Sequence, residues 1–201
     1  MSLEIIKDAT VAGRRELMYD ESKQYHGFVD ASGARKDSMT MAIAHLISRD
    51  GNKIAVLDAI REIKAPFKPD EVVEEFVKLL RSFGLSEITG DNYAGEWPVE
   101  RFETRGIAYK KSEKNRSEIY GALLPHLRSG FVELLDIPAL HAQLAGLERR
   151  AGQGGHDVID HARGSHDDII NSAAGALILA TGIGSEEFTD ADVALFIKAY
   201  S

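Results

Sequence analysis

Residues 25–63, YHGFVDASGARKDSMTMAIAHLISRDGNKIAVLDAIREI, decide the fold. Three runs rich in β-branched, aromatic and small apolar residues follow one another at 25–30, 38–48 and 53–63. Asp30 ends the first, a Gly-containing turn spans 31–36, and Asp50-Gly51-Asn52 separates the last two. Strands joined by connections this short run antiparallel, so the stretch predicts a three-stranded meander. Downstream, Pro69 and Asp70 open a helix in which Val72, Val73, Phe76, Val77, Leu79 and Leu80 recur at helical spacing. Acids occupy its first turn, Lys78 and Arg81 come late, and Gly84 stops it. A short apolar run at 85–89, ending in Gly90-Asp91, reads as a fourth strand; entered from a helix, it should lie parallel to its neighbour.

Beyond it the pattern alternates: a helix at 97–104, a strand at 107–109, a helix at 115–129 despite Pro125, a strand at 131–135 and a helix at 138–150. Residues 151–165 are Gly-rich and polar and read as a loop or hairpin. Helical spacing returns at 167–181, and 190–199 form a short amphipathic tail helix. The expected architecture is α/β: a mixed sheet, three antiparallel strands and then parallel ones, with helices on both faces. That order of elements resembles the ribonuclease H-like fold. Residues 1–24 form a lead-in, and 25–201 a single domain.

Composition narrows the function. The chain has 201 residues, 44% hydrophobic and 28% charged, an ordinary mix for one domain with a large core. No apolar run reaches the 18 residues of a membrane span, and the first ten residues lack the apolar core of a secretory signal. With no cysteine, disulfides, thiolate metal sites and a cysteine nucleophile are excluded. Lys plus Arg number 24 against 32 Asp plus Glu, a net charge of −8, which argues against indiscriminate binding of nucleic acid but leaves room for a local basic groove. No phosphate-binding GxxxxGK[ST] loop occurs.

Three acidic positions share a context. Asp30 ends the first strand, Asp91 the fourth, and the pair Asp167 and Asp168 opens the helix after the Gly-rich segment. If the first and fourth strands are parallel neighbours, Asp30 and Asp91 project from the same end of the sheet, and a helix starting nearby adds a third carboxylate. Like charges that close require a counter-charge, and a divalent cation with hard oxygen ligands supplies it. Two such ions support in-line displacement at phosphorus, so the chemistry expected is phosphodiester hydrolysis. Taken singly, each acid is equally at home as a turn, first-turn or strand-end residue.

The words FVDASGARKDSMTMAIAH (28–45), GDNYAGEWPVERF (90–102) with GIAYKKSEKNRSEIY (106–120), and IDHARGSHDDIINSAAGAL (159–177) resemble the nuclease domain of phage terminase large subunits, in order and over nearly the whole of 25–180. The resemblance implies a ribonuclease H-like endonuclease that cuts double-stranded viral DNA during genome packaging, with two Mg²⁺ or Mn²⁺ ions held by an acidic cluster. It assigns Asp30 as the acid bridging both ions, Asp91 as the second and Asp167 as the third, with Asp168 as a further ligand or neighbour. It also implies partners: an ATPase motor, either removed from this chain or carried on another polypeptide, a small terminase subunit and a portal protein. The setting would be the cytoplasm of an infected or lysogenic bacterial host.

Candidate DNA contacts are Arg35 and Lys36 on the turn after Asp30, the cluster Lys110, Lys111, Lys114 and Arg116, and Arg149, Arg150 and Arg163 flanking the Gly-rich segment; each also fits a solvated loop. His161 and His166 are expected to support the acids without ligating hard ions. Asp37 reads as a turn or cap residue, and Trp97 and Phe102 as core rather than a base-stacking platform. With no zinc finger or helix-turn-helix, DNA would be held by its backbone with little sequence readout. Competing readings are a junction resolvase, an RNase H, or a noncatalytic module docking on a portal.

Overall fold

The computed structural model describes residues 1–31, 38–91, 96–151, 157–161 and 166–182. Strand β1 (Tyr25–Asp30) pairs antiparallel with β2 (Met39–Arg49), and β2 with β3 (Asn52–Ile63). Helix α2 (Pro69–Ser82) leads into β4 (Glu87–Gly90), which lies parallel to β1. After α3 (Trp97–Glu103), β5 (Ala108–Lys111) adds parallel to β4. Helix α4 (Arg116–Arg128) precedes the two-residue strand β6 (Val132–Glu133), which runs parallel to β3. The sheet order is β5-β4-β1-β2-β3-β6, the expected mixed arrangement. Tyr25, Phe28 and Val29 of β1 are all buried because helices cover both faces of this central strand.

One face carries α2 and α3, whose Val73, Phe76, Val77, Leu80 and Phe102 pack on Val29, Met41 and Ile43. The other carries α4, α5 (Pro138–Ala145) and α6 (Asp168–Thr181), packed on Phe28, Ala42, Ala44 and Leu57. Pro125 is accommodated in the last turn of α4, where a missing N–H removes one hydrogen bond and little else. The lead-in is packed as well: α1 (Leu3–Ala9), not foreseen in the sequence, buries Ile6 and Ala9, and Leu17 donates its amide to the Asp58 carbonyl at 2.8 Å.

The helix expected over 138–150 is corrected. It ends at Gly146, and β7 (Leu147–Ala151) pairs antiparallel with β8 (Asp157–His161), so of the loop or hairpin anticipated at 151–165 the strand pairing of a hairpin is found, starting four residues earlier. Burial explains the change: Leu147, opposite His161, and Ile159, opposite Arg149, sink from this ribbon into the core beside α4, and Ser117 Oγ accepts the Ile159 amide at 2.9 Å. The tail helix expected at 190–199 lies outside the described residues.

Helix α6 sets the depth of the whole layer. It is apolar on nearly every side, as a helix enclosed between a sheet and other helices must be. Its run Ala173, Ala174, Gly175 and Ala176 lets it press on the sheet so closely that a Cβ on Gly175 would overlap the Phe28 ring. Gly182, left-handed at φ 72°, ends it.

Candidate active site

Parallel pairing of β1 and β4 places Val29 opposite Gly90, so the next residues, Asp30 and Asp91, emerge side by side from the carboxyl ends of the two strands. The Asp91 amide bonds the Val29 carbonyl at 3.3 Å, holding the chain there. Ligands of open α/β sheets gather at such ends. Helix α6 begins over the same point, and Asn171 on its first turn reaches down between the two acids. Its Nδ2 donates to Asp30 Oδ2 at 2.8 Å and to Asp91 Oδ2 at 3.3 Å. The opposite amide atom, Asn171 Oδ1, is buried with no hydrogen-bond partner among the described residues.

Asp168 closes the group from the β2 side. Its Oδ2 accepts the Ser38 amide at 3.3 Å, and its carbonyl accepts the Thr40 hydroxyl at 2.6 Å. Thr40 stands opposite Asp30 in the β1–β2 register, so this bond fixes the start of α6 above Asp30. The Ser38 hydroxyl also donates to Glu62 at 3.0 Å, adding a further acid at the rim. Asp30 is 7% exposed. Burial, then the charges of Asp168 and Asp91, push its carboxyl up to about 7 against the lowering pull of the Asn171 amide and the more distant Arg116. A nearly enclosed carboxylate that other carboxylates disfavour, beside an orphaned amide oxygen, is a hard-oxygen donor set suited to Mg²⁺ or Mn²⁺.

Asp167, the first choice for the third acid, faces elsewhere. It is the non-helical N-cap of α6, at φ −135°, and while Asp168, the first helical residue, turns to β2, Asp167 turns to α4. It accepts Arg116 Nη1 at 2.9 and 3.0 Å and the Tyr120 hydroxyl at 2.9 Å, and His161 Nδ1 lies 3.3 Å away. Burial and the Asp167 carboxylate both raise the Tyr120 hydroxyl well above its ordinary value, so it remains a donor. Asp160, His161 and Asp167 place one ligand atom each within 4.8 Å of one another, but Arg116 and Tyr120 already neutralise and bond the Asp167 oxygens.

The candidate DNA contacts divide. Lys110, Lys111 and Lys114 line a cavity of about 370 Å³ whose floor is Phe28, Ile119 and Ile178. Since Lys111 pairs with Gly90, its basic wall abuts the acid end of the sheet. Lys110 also pairs with Glu87 at 2.8 Å. Arg116 is committed to Asp167, and Arg150 to Glu148 and the His161 carbonyl. Arg149 lines a separate cleft with Arg128 on the far side of α4. Arg35, Lys36, Arg163 and Asp37 lie outside the described residues. His161 does touch Asp167, whereas His166 is exposed beside Gln143. Phe102 is fully buried and Trp97 packs against the same core, in line with a structural role.

Sequence reasoning missed Asn171, Thr40 and Tyr120. The signal for the first was legible: Asn171-Ser172 interrupts an otherwise apolar helix, and a polar residue at such a position is buried and needs a partner.

A six-stranded mixed sheet of this order, with an acidic cluster at the junction of β1 and β4, is the ribonuclease H-like class of fold. No family model and no curated protein matches the sequence. Solved structures do match in shape. The large terminase nuclease from thermophilic phage G20c superposes with a TM-score of 0.71 at 14% identity, over 88% of this chain and 96% of that one. The nuclease domain of the large terminase subunit gp2 of bacterial virus Sf6 gives 0.62 at 15%, over 90% and 96%. The HK97 bacteriophage large terminase gives 0.65 at 15%; there the match covers 88% of this chain and 43% of the larger protein. The G20c nuclease has also been crystallised with bound magnesium, cobalt and zinc. The particular fold is therefore that of the phage large terminase nuclease domains. Among the described residues no helix is long and apolar enough to cross a membrane.

Proposed function

We propose that this chain is a divalent-metal-dependent endonuclease domain that hydrolyses phosphodiester bonds of double-stranded DNA during phage genome packaging. The observation that carries the reading is the Asn171 amide donating to both Asp30 and Asp91 where parallel β1 and β4 end, with Asp168 beside them. In it, Asp30, Asp91 and Asp168 are the ligands of two Mg²⁺ or Mn²⁺ ions, which supply charge for activating water and stabilising the leaving oxygen. Asn171 holds the two strand-end carboxylates in register. Asp167, tied to Arg116 and Tyr120, braces the first turn of α6 and so the position of Asp168 and Asn171. Lys111 and Lys114 bind backbone phosphates beside the acids, with Lys110 exchanging Glu87 for phosphate. The shared fold supports a setting in which an ATPase motor, a small terminase subunit and a portal protein deliver the DNA, in the cytoplasm of an infected or lysogenic bacterium.

Incubation of the chain with supercoiled plasmid and Mn²⁺ or Mg²⁺ tests this. Nicking should appear, and should vanish with EDTA and in Asp30→Asn. Metal-independent nicking, or nicking that survives Asp30→Asn, contradicts the assignment. Four-way junctions and RNA–DNA hybrids as parallel substrates separate this activity from that of a resolvase or an RNase H, either of which would prefer its own substrate over plain duplex.

A further inference from the structure

The buried hydroxyl of Tyr109, at the acid end of the sheet, has no hydrogen-bond partner among the described residues and no part in the network around Asn171. Tyr109 stands in edge strand β5 opposite Ile88, its ring 5.8 Å from that of Phe102 on the face covered by α2 and α3. From there the phenol reaches across β4 to the residue before Asp91. A Cβ on Gly90 would overlap its hydroxyl and Cζ. Gly90 has no positive φ, so the backbone does not require glycine at this position; the approach of the phenol does. Burial, then the charges of Asp91 and Asp30, raise the Tyr109 hydroxyl above its ordinary value, so it keeps its proton. A sealed donor without an acceptor is unfavourable, and phenylalanine would fill the same space without that penalty.

We propose that Tyr109 is a positioning residue for Asp91. In the cation-loaded site its hydroxyl donates to the Asp91 carboxylate, directly or through one enclosed water, and holds that carboxylate in its ligating orientation; Gly90 is small so that the phenol can reach. Carboxylates that ligate metals are themselves held by hydrogen bonds, and removal of such a partner typically weakens metal affinity by about 10- to 100-fold. The inference rests on the metal-dependent nuclease reading.

Wild type, Tyr109→Phe and Asp91→Asn are compared by thermal denaturation in EDTA and across a Mn²⁺ series, and by plasmid nicking over the same series. Tyr109→Phe should melt at or above wild type in EDTA, having lost only a partnerless hydroxyl. It should need about 10- to 100-fold more Mn²⁺ for half of its thermal shift and for half-maximal nicking, and recover most of its rate at saturating Mn²⁺. Superimposable Mn²⁺ curves for Tyr109→Phe and wild type overturn the inference; if Asp91→Asn then still abolishes the shift, the nuclease reading survives. A marked loss of stability of Tyr109→Phe in EDTA also overturns it, by showing a structural partner for the hydroxyl. A wild type without any Mn²⁺ response sinks both. Gly90→Ala, which displaces the ring, should reproduce the Mn²⁺ defect; Tyr109→Phe keeps the test decisive if the alanine variant does not fold.

Discussion

Replacement of Asp30 by asparagine should make this protein more stable while abolishing its cleavage of DNA. The Asp30 carboxyl is raised from 3.8 to about 7, chiefly by burial and then by the charges of Asp168 and Asp91. Below pH 3.8 it is protonated in both the folded and the unfolded chain and contributes nothing to the pH dependence. Between 3.8 and about 7 the folded chain keeps the proton that the unfolded chain releases, so stability falls as pH rises, and above 7 the loss is complete. A rise of that size corresponds to about 4 kcal/mol, taken as an upper bound. Asparagine mimics the protonated acid, can present its Oδ1 to Asn171, and does not titrate. In EDTA, urea denaturation at pH 4 should find variant and wild type nearly equal. At pH 8.5 the variant should lead by about 2–4 kcal/mol, or about 10 °C in melting temperature for a chain of this length. Saturating Mn²⁺ at pH 8.5 should close much of the gap by stabilising the wild type alone, since about 100-fold excess over the dissociation constant is worth about 2.7 kcal/mol. An asparagine variant destabilised by the same amount at both pH values would refute the reasoning, because Asp30 would then be a satisfied structural carboxylate.

Three further outcomes are expected. Arg116→Ala leaves Asp167, only 4% exposed, with Tyr120 as its remaining strong donor; because Arg116 is itself 40% exposed, thermal denaturation should show a loss of about 1–3 kcal/mol, less than for a fully enclosed pair. Gly175→Ala, which on helix propensity alone should help by about 1 kcal/mol, should instead destabilise by about 1–3 kcal/mol in urea titrations, since its methyl group meets the Phe28 ring. The double variant Lys111→Glu and Lys114→Glu should bind duplex DNA more weakly by fluorescence anisotropy, with the slope of log affinity against log salt reduced by about one per lysine; an unchanged slope would show that the cavity they line is not on the DNA path.

Much of the core was legible because it rests on local periodicity. Runs at 25–30, 38–48 and 53–63 could bury two faces only as central strands, and the helix from Pro69 carries its own start and stop signals. The failures share one cause. Residues 147–150 have no strand signal of their own; they are strand because 157–161 lies alongside and because Leu147 and Ile159 find room beside α4. The role of Asn171 is not local either, because it depends on two acids 141 and 80 residues away.

The sequence by itself determined that acids stand at the ends of the first and fourth strands and at the start of the last described helix, since strand termini and helix caps are properties of short stretches. Which of two adjacent aspartates faces Asp30 was decided only by tertiary packing. The rotation of α6 about its axis is set by the fit of Gly175 against Phe28, by Thr40 under the Asp168 carbonyl, and by Arg116 and Tyr120 drawing Asp167 to the other side. Those contacts join residues far apart in the chain, and no window of sequence holds them together.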